Sequence, residues 1–175
     1  MRRPTRAPLG ALVVLLAVAL SGCGDSKPQL TGTPGKDIKV LPASTMPKTV
    51  NGLSVKPEVV TKALRQAKQS YVDAVGFYSL RNEEKRVQGT VQVSSFGPSA
   101  RLDDPEFRRQ IVLQSSPGTP TSVNVAGTTV QQSVGTKSTV SIWFSEDRLV
   151  VLTALKTYTG TRGLLEQTVA ALPGS

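Results

Sequence analysis

The sequence predicts an α+β domain, in which an antiparallel sheet of about six strands is flanked by an N-terminal, a middle and a C-terminal helix. Runs of β-branched and aromatic residues follow one another with short polar turns between them, which favours antiparallel pairing. Three other segments carry apolar residues at helical spacing. All eight aromatic residues lie between Tyr71 and Tyr158, so the core is expected in that part of the chain.

The domain is predicted to begin with a helix and a hairpin. Pro57 suits the first turn of a helix, and apolar residues then recur at helical spacing, which predicts a helix over 57–69. Residues 71–80 and 87–95 are rich in β-branched and aromatic side chains, with a polar turn at 81–85 between them. We expect these two segments to form a β-hairpin.

A middle helix is predicted over 104–113. The run Asp103-Asp104-Pro105-Glu106 supplies an Asp cap, a proline for the first helical position and an acid near the positive end of the helix dipole. Residues 111–113 could instead open a strand, and the sequence leaves both interpretations open. Further strands are predicted at 122–126, 128–133, 139–145 and 149–155, and a closing helix at 161–172.

Trp143 is the aromatic residue whose environment the pattern leaves undecided. It lies between Ile142 and Phe144, so it faces the opposite side of a regular strand from those two side chains. We expect the closing helix to cover it. The alternative is that Trp143 lines a ligand groove on the sheet.

The chain divides by composition into residues 1–22, 23–55 and 56–175. Residues 24–55 hold four prolines, four glycines and no aromatic residue, so they are expected to form a flexible linker with a root-mean-square span of roughly 30 Å. Within that linker, residues 38–41 could form a short strand that docks onto the domain. The domain itself is predicted from residue 56 onward.

The N-terminus has the order of an export signal. Residues 2–6 include three arginines and no acid, and residues 9–20 form an uncharged apolar run of 12 residues. A permanent membrane helix needs roughly 20 residues, so this run is too short to remain as a span. Residues 1–22 are therefore predicted to be a signal peptide.

Leu20-Ser21-Gly22-Cys23 follows the apolar run and resembles the bacterial lipobox, which consists of an apolar residue, two small residues and an obligatory cysteine. The resemblance implies cleavage between Gly22 and Cys23 and attachment of lipid to the Cys23 sulfur. The mature protein would then be a lipoprotein held on the outward face of the cell membrane. In element order, the domain also resembles small exported domains of the PsbP-like kind and other actinobacterial lipoproteins.

Histidine is absent from the sequence, and Cys23 is its only cysteine. The sequence therefore excludes Ser-His-Asp and Cys-His nucleophilic sites, histidine zinc sites and an intramolecular disulfide. The formal charge of +9 falls to about +6 when Arg2, Arg3 and Arg6 are removed with the signal. The basic residues are scattered, so we expect no nucleic-acid partner, and no pattern calls for a cofactor or a metal.

The acids occur in small groups, which are Glu83-Glu84, Asp103-Asp104-Glu106 and Glu146-Asp147. They fall at predicted turns and a helix start, where acids favour capping and solubility. A calcium site at 103–106 lacks the alternating ligands of an EF-hand loop. The segment Gly160–Gly163 could hold an anion at a helix N-terminus, although a turn into the helix is the usual meaning of such a segment.

The sequence thus predicts a membrane-anchored, extracytoplasmic binding or accessory module of the cell envelope, not an enzyme. Its expected partners are the membrane, through the lipid, and an envelope protein or lipid. One alternative is a carrier of a small ligand or lipid. A second alternative is a cell-wall hydrolase, in which Asp103, Asp104, Glu146 and Asp147 would have to meet in one cleft.

Overall fold

The computed structural model describes residues 38–60 and 71–174, and most of these residues belong to one β-sheet. The elements are numbered in chain order. The strands are β1 (Lys39–Val40), β2 (Thr49–Val50), β3 (Leu53–Pro57), β4 (Val72–Arg81), β5 (Val87–Phe96), β6 (Thr121–Val125), β7 (Thr128–Val134), β8 (Ser138–Ser145) and β9 (Arg148–Leu155). The helices are α1 (Pro105–Ser115) and α2 (Thr161–Ala171), and Ala43–Thr45 form one 3-10 turn.

The sheet has the strand order β2-β3-β4-β5-β9-β8-β7-β6, with antiparallel pairing at every step. The short strand β1 is the exception, because it pairs in parallel with β4. After β5, the chain passes through α1 to the far edge of the sheet at β6. Three hairpins then bring it back, so that β9 lies beside β5, with Val150 opposite Val93.

Each helix covers one face of the sheet. The α2-side core contains Met46, Val50, Leu53, Val55, Tyr78, Leu80, Val91, Val93, Val130, Trp143, Val150, Leu152, Ala154, Leu164, Leu165, Val169 and Leu172. The α1-side core contains Tyr71, Phe96, Phe107, Ile111, Val112, Val140, Ile142, Leu149 and Val151. Successive residues of β9 alternate between the two cores, so this strand is buried on both faces, as its continuously apolar sequence indicates.

The predicted fold class is wrong in its balance of helix and strand. The sheet has nine strands where about six were expected, and the described residues contain two helices where three were predicted. The molecule is mostly a single antiparallel sheet and is richer in β structure than the predicted α+β domain. The added strands are β1, β2 and β3, all of which begin before the predicted start of the domain at residue 56.

The start of the predicted helix over 57–69 is extended. Pro57 is the last residue of β3, opposite Tyr78, and the Glu58 N–H donates to the Phe77 carbonyl at 2.7 Å. Residues opposite each other alternate between bonded and unbonded pairs, so Pro57 lies at an unbonded position, where a missing N–H costs nothing. Residues 58–60 form no helix, and 61–69 lie outside the described residues.

Three strands lie in the segment whose composition predicts a linker. The alternative of a docking strand at 38–41 matches the structure, where Lys39 and Val40 pair with β4. Met46, Val50, Leu53 and Val55 are each at most 9% exposed. These four apolar residues pack into a core that the rest of the chain provides, which composition alone does not show.

The middle helix is confirmed, and the strand alternative at 111–113 is excluded because those residues are helical in α1. Asp104 caps the helix, and its carboxylate accepts from the N–H groups of Glu106 and Phe107. The predicted strands from 122 to 155 and the closing helix also lie within two residues of β6, β7, β8, β9 and α2. Their alternating apolar pattern and turn residues were strong local signals.

Candidate functional site

Cys23 and Gly22, the predicted lipidation and cleavage residues, lie outside the described residues. The described chain begins at Ile38, which is 6% exposed and packs with Val60 and Val75. The next two residues form β1 against β4. Whatever precedes Ile38 therefore joins the domain beside β4.

Trp143 is a core residue beneath α2. Its side chain is 1% exposed, and the indole N–H donates to the Leu172 carbonyl at 2.7 Å. This is the arrangement that the sequence analysis favoured over a ligand groove. The bond attaches the end of α2 to the sheet, so Trp143 acts in folding and faces no opening.

The acidic groups lie at both ends of the sheet. Glu83 and Glu84 are in the β4–β5 turn, whereas Glu146 and Asp147 form the β8–β9 turn at the opposite end. Asp147 is engaged locally, because its carboxylate accepts from the Ser95 hydroxyl at 3.1 Å. Within residues 38–60 and 71–174, no three acidic or cysteine side chains are grouped so as to hold a metal ion.

The acidic residues at the start of α1 form contacts within and next to the helix. Asp104 caps α1 and also lies 2.7 Å from the Arg101 guanidinium. Glu106 pairs with Arg109 at 2.8 Å, and hydrogen bonds from Arg109 and then Gln110 lower its pKa. These contacts are the capping and surface roles that the sequence pattern favoured.

The Gly160–Gly163 segment is occupied by side chains of the same chain. Asn51 donates to the Tyr158 hydroxyl at 2.7 Å and to the Gly160 carbonyl at 3.1 Å. A Cβ at Gly160 would lie 2.6 Å from the Tyr158 hydroxyl, and one at Gly163 would lie 2.9 Å from the Asn51 amide oxygen. The glycines are therefore needed for close packing, and the segment is a turn into α2.

Sequence reasoning missed Asn51, although a signal was present. Asn51 and Gly52 both have positive φ, 49° and 75°, and form a two-residue turn between β2 and β3. An Asn-Gly pair between apolar residues is the strongest local hairpin signal. The main-chain N–H of Asn51 also donates to the Gln167 side chain at 2.6 Å, so this turn fastens the first hairpin to α2.

A polar row crosses one end of the α2-side core. Ser95, Arg148 and Ser145 are successive cross-strand partners on β5, β9 and β8, and the apolar Ala74 lies opposite Ser95 on β4. Arg148 Nε lies 3.8 Å from the Asp147 carboxylate, which is an ion-pair distance but too long for a hydrogen bond. Burial raises the pKa of nearby Tyr78, while Thr45 and the positive charge of Arg148 oppose that effect. The row closes this end of the core with the hydroxyls of Ser95 and Ser145 and with Arg148, which forms an ion pair with Asp147.

The strand β6 forms an open edge of the sheet. It pairs with β7 on one side and, among the described residues, with no strand on the other. Ala126 and Gly127 have φ of 50° and 86°, so a two-residue turn joins the strands and Val125 and Thr128 exchange both main-chain bonds. Because bonding alternates along the ladder, the N–H and C=O groups of Ser122 and Asn124 point outward.

This edge has none of the charges that usually protect an exposed strand. Residues 115–136 contain no acidic or basic side chain, and Ser122 and Asn124 are both exposed. Lysines, a bulge or an in-strand proline commonly prevent another strand from adding to such an edge. The regular, uncharged β6 has none of these features, so its outward main-chain groups are available for pairing.

No protein-family model matches the chain, and comparisons with curated proteins and with solved structures likewise give no match. Among the helices of the described residues, none is both long and apolar enough to cross a membrane.

Proposed function

We propose that the chain is an outward-facing lipoprotein of the cell membrane whose domain is a non-catalytic binding module of the cell envelope. The anchor is Cys23, following the lipobox pattern of Leu20-Ser21-Gly22-Cys23. Each buried methylene contributes about 0.8 kcal/mol to membrane binding, so a diacylglycerol group holds a protein durably where one acyl chain does not.

The observation that carries the binding role is the position of the open edge relative to the anchored side. The chain enters the domain at β1, beside β4, whereas β6 lies five strands further along the sheet. At about 4.8 Å between strands, the separation across the sheet is roughly 24 Å. The module thus presents an unprotected strand on the side away from its point of attachment.

The mode of binding that this edge supports is addition of a strand. Ser122 and Asn124 each offer one outward N–H and one outward C=O, and the alternate residues Val123 and Val125 pack against the α2-side core. In strand addition, main-chain bonds supply affinity and alternate side chains supply specificity. Binding of this kind needs no catalytic residue and no cofactor.

The anchor is tested by feeding cells a clickable palmitate analogue and fractionating their membranes. The full chain should be labelled and should sediment with the membrane, while Cys23→Ala should lose both properties, because no other thiol exists in the sequence. An unlabelled full chain would overturn the lipoprotein proposal.

The binding edge is tested in the same cells with a photo-crosslinking residue at Asn124. The matched control carries this residue at Thr90, which is also exposed but lies on the interior strand β5. A discrete adduct from position 124 and none from position 90 is the expected result. Equal yields at the two positions would show that β6 has no special role.

A further inference from the structure

We propose that the strand added to β6 is β6 of a second copy of this chain, in an antiparallel pair about a two-fold axis through Val123. This inference rests on the proposed binding function and names its partner. The result is one continuous sheet across two molecules, built by a self-complementary contact in which the same patch serves both copies.

The register follows from which main-chain groups are free. In an antiparallel pair, residues that exchange bonds must both point their N–H and C=O groups toward the partner. On β6 these residues are Ser122 and Asn124. Pairing Ser122 with Asn124 of the second copy, and Asn124 with Ser122 of the second copy, satisfies all of them with four hydrogen bonds.

The two neighbouring registers are poorer. Pairing Ser122 with itself places Asn124 opposite Pro120, which has no N–H to donate. Pairing Asn124 with itself places Ser122 opposite Ala126, which has φ of 50° in the hairpin turn and is not extended. Only the register centred on Val123 uses both outward residues of each strand.

The side chains of this pair fit a second copy. Val123 meets its own equivalent at the axis, Thr121 lies opposite Val125, and Ser122 lies opposite Asn124. No charged side chain enters the contact, since residues 115–136 have none. The described residues elsewhere carry 13 basic and 10 acidic side chains. The described residues of each copy therefore carry a net positive charge, but two copies that meet at β6 bring no charged side chains of this segment together.

A single pair of five-residue strands is a small contact, below the size of a standard stable interface. Two copies anchored in one membrane, however, meet at a much higher effective concentration than two copies free in solution. The pairing is therefore expected on the membrane and should weaken when the chain is released from it.

The test is disulfide trapping in membranes from cells that make the full chain, with mild oxidation and non-reducing gels. Val123→Cys should give a dimer, because unbonded antiparallel partners have Cα atoms about 4.5 Å apart. Ser122→Cys alone should not, because its two copies would be roughly 9 Å apart, beyond the disulfide limit of about 7 Å. Ser122→Cys and Asn124→Cys produced together should cross-link again.

A matched pair of lysine variants in the Val123→Cys background tests the edge itself. Asn124→Lys places a charge on the edge and should lower the rate of cross-linking at least about tenfold. Thr129→Lys adds the same charge at the cross-strand neighbour of Asn124 on β7, and should change the rate less than about twofold. Circular dichroism of each variant confirms that the fold is retained.

Several outcomes would overturn the dimer. Equal cross-linking of Val123→Cys and Ser122→Cys would contradict the register, and no cross-linking of folded Val123→Cys would contradict the contact. An adduct of Val123→Cys with a different protein would refute the second copy as occupant while leaving the binding module intact. A dimer formed by the parent chain through Cys23 would show that this thiol is not lipidated, which refutes the anchor and not the edge. In that case, the cross-linking of the cysteine variants at 122, 123 and 124 is repeated in the full-length Cys23→Ser chain, and the same pattern of dimers is expected.

Discussion

The indole N–H of Trp143 donates to the Leu172 carbonyl at 2.7 Å, and this bond fixes the end of α2 onto β8. Leu172 follows the last helical residue, and both side chains are at most 5% exposed. The bond is thus buried, where a carbonyl without its donor has no water to replace it.

Trp143→Phe should therefore lower the free energy of unfolding by about 2–4 kcal/mol, through the lost hydrogen bond and the smaller ring together. Urea unfolding followed by circular dichroism gives the value. Phe144→Leu, at a partly buried neighbour on the opposite face of β8, is the control for loss of apolar volume from the same strand. Equal stability of Trp143→Phe and the parent chain would mean that the bond contributes nothing.

Removal of the Tyr71 hydroxyl should make the folded protein more stable. Its side chain packs against Phe96 and Phe107, with ring centroids 6.0 and 5.5 Å away, and the buried hydroxyl has no hydrogen-bond partner among the described residues. Tyr71→Phe should raise the free energy of unfolding by up to about 1 kcal/mol, because it removes an unsatisfied polar atom and keeps the ring. A less stable variant would show that the hydroxyl does have a partner.

Tyr71 should also make the free energy of unfolding depend on pH in the alkaline range. Burial raises the pKa of Tyr71 above its ordinary value of 10.0. The hydroxyl of Tyr71 therefore loses its proton at a lower pH in the unfolded chain than in the folded chain. The free energy of unfolding is unaffected by this difference below pH 10, and it falls as the pH rises from there through the folded-state pKa. The stability advantage of Tyr71→Phe should grow when unfolding is measured above pH 10, and a constant difference would contradict the assignment.

Asn51 and Ala126 occupy equivalent positions in two hairpin turns, with φ of 49° and 50°. Asn51→Gly keeps the turn but removes the side-chain bonds to Tyr158 and Gly160, so the free energy of unfolding should fall by about 1–2 kcal/mol. Ala126→Asn creates the preferred Asn-Gly pair and should raise it by about 0.5–1 kcal/mol. Thermal unfolding measures both, and changes of the same sign would contradict the turn geometry.

Glu58 should contribute to acid sensitivity. Hydrogen bonds with Ser79 and then Arg81 lower its pKa below the ordinary 4.5. The contribution to stability is present above pH 4.5 and is lost as the pH falls through the depressed folded-state value.

Urea unfolding between pH 7 and 3 should accordingly show a stability difference between the parent chain and Glu58→Gln that shrinks below pH 4.5. Glu83→Gln makes the same change of charge at a residue that has no ion pair with any described residue, and serves as the control. If the difference from Glu58→Gln persists unchanged at pH 3, the ion pair with Arg81 is not its source.

Local signals located most of the elements after residue 71. Asp104 with Pro105 marked the start of α1, and the alternating Val140, Ile142 and Phe144 marked β8. The segment before residue 60 was harder, because its strands are two to five residues long and become stable only by pairing with β4 and by burying Val50 and Leu53. Pro57 was misassigned for the same reason, since its residue type suits both a helix start and an unbonded strand position.

The candidate edge was beyond sequence reasoning, although its residues were assigned to a strand. The sequence pattern shows that Ser122 and Asn124 share a face of β6. Whether β6 lies at an edge of the sheet depends on which strands pair with it. The pairing places β6 at the edge because the connection through α1 carries the chain to the far side of the sheet. This arrangement depends on contacts between strands that are distant in the sequence, such as β5 and β9.

The sequence by itself determined the lipoprotein prediction, the absence of histidine chemistry and the local helix and strand signals, because these depend on neighbouring residues alone. The tertiary structure decided that β1 to β3 join the sheet, that Trp143 is covered by α2, and that β6 is left with an open side. These three depend on which apolar faces and main-chain groups find partners far away in the chain, and such partners are chosen only when the whole sheet assembles.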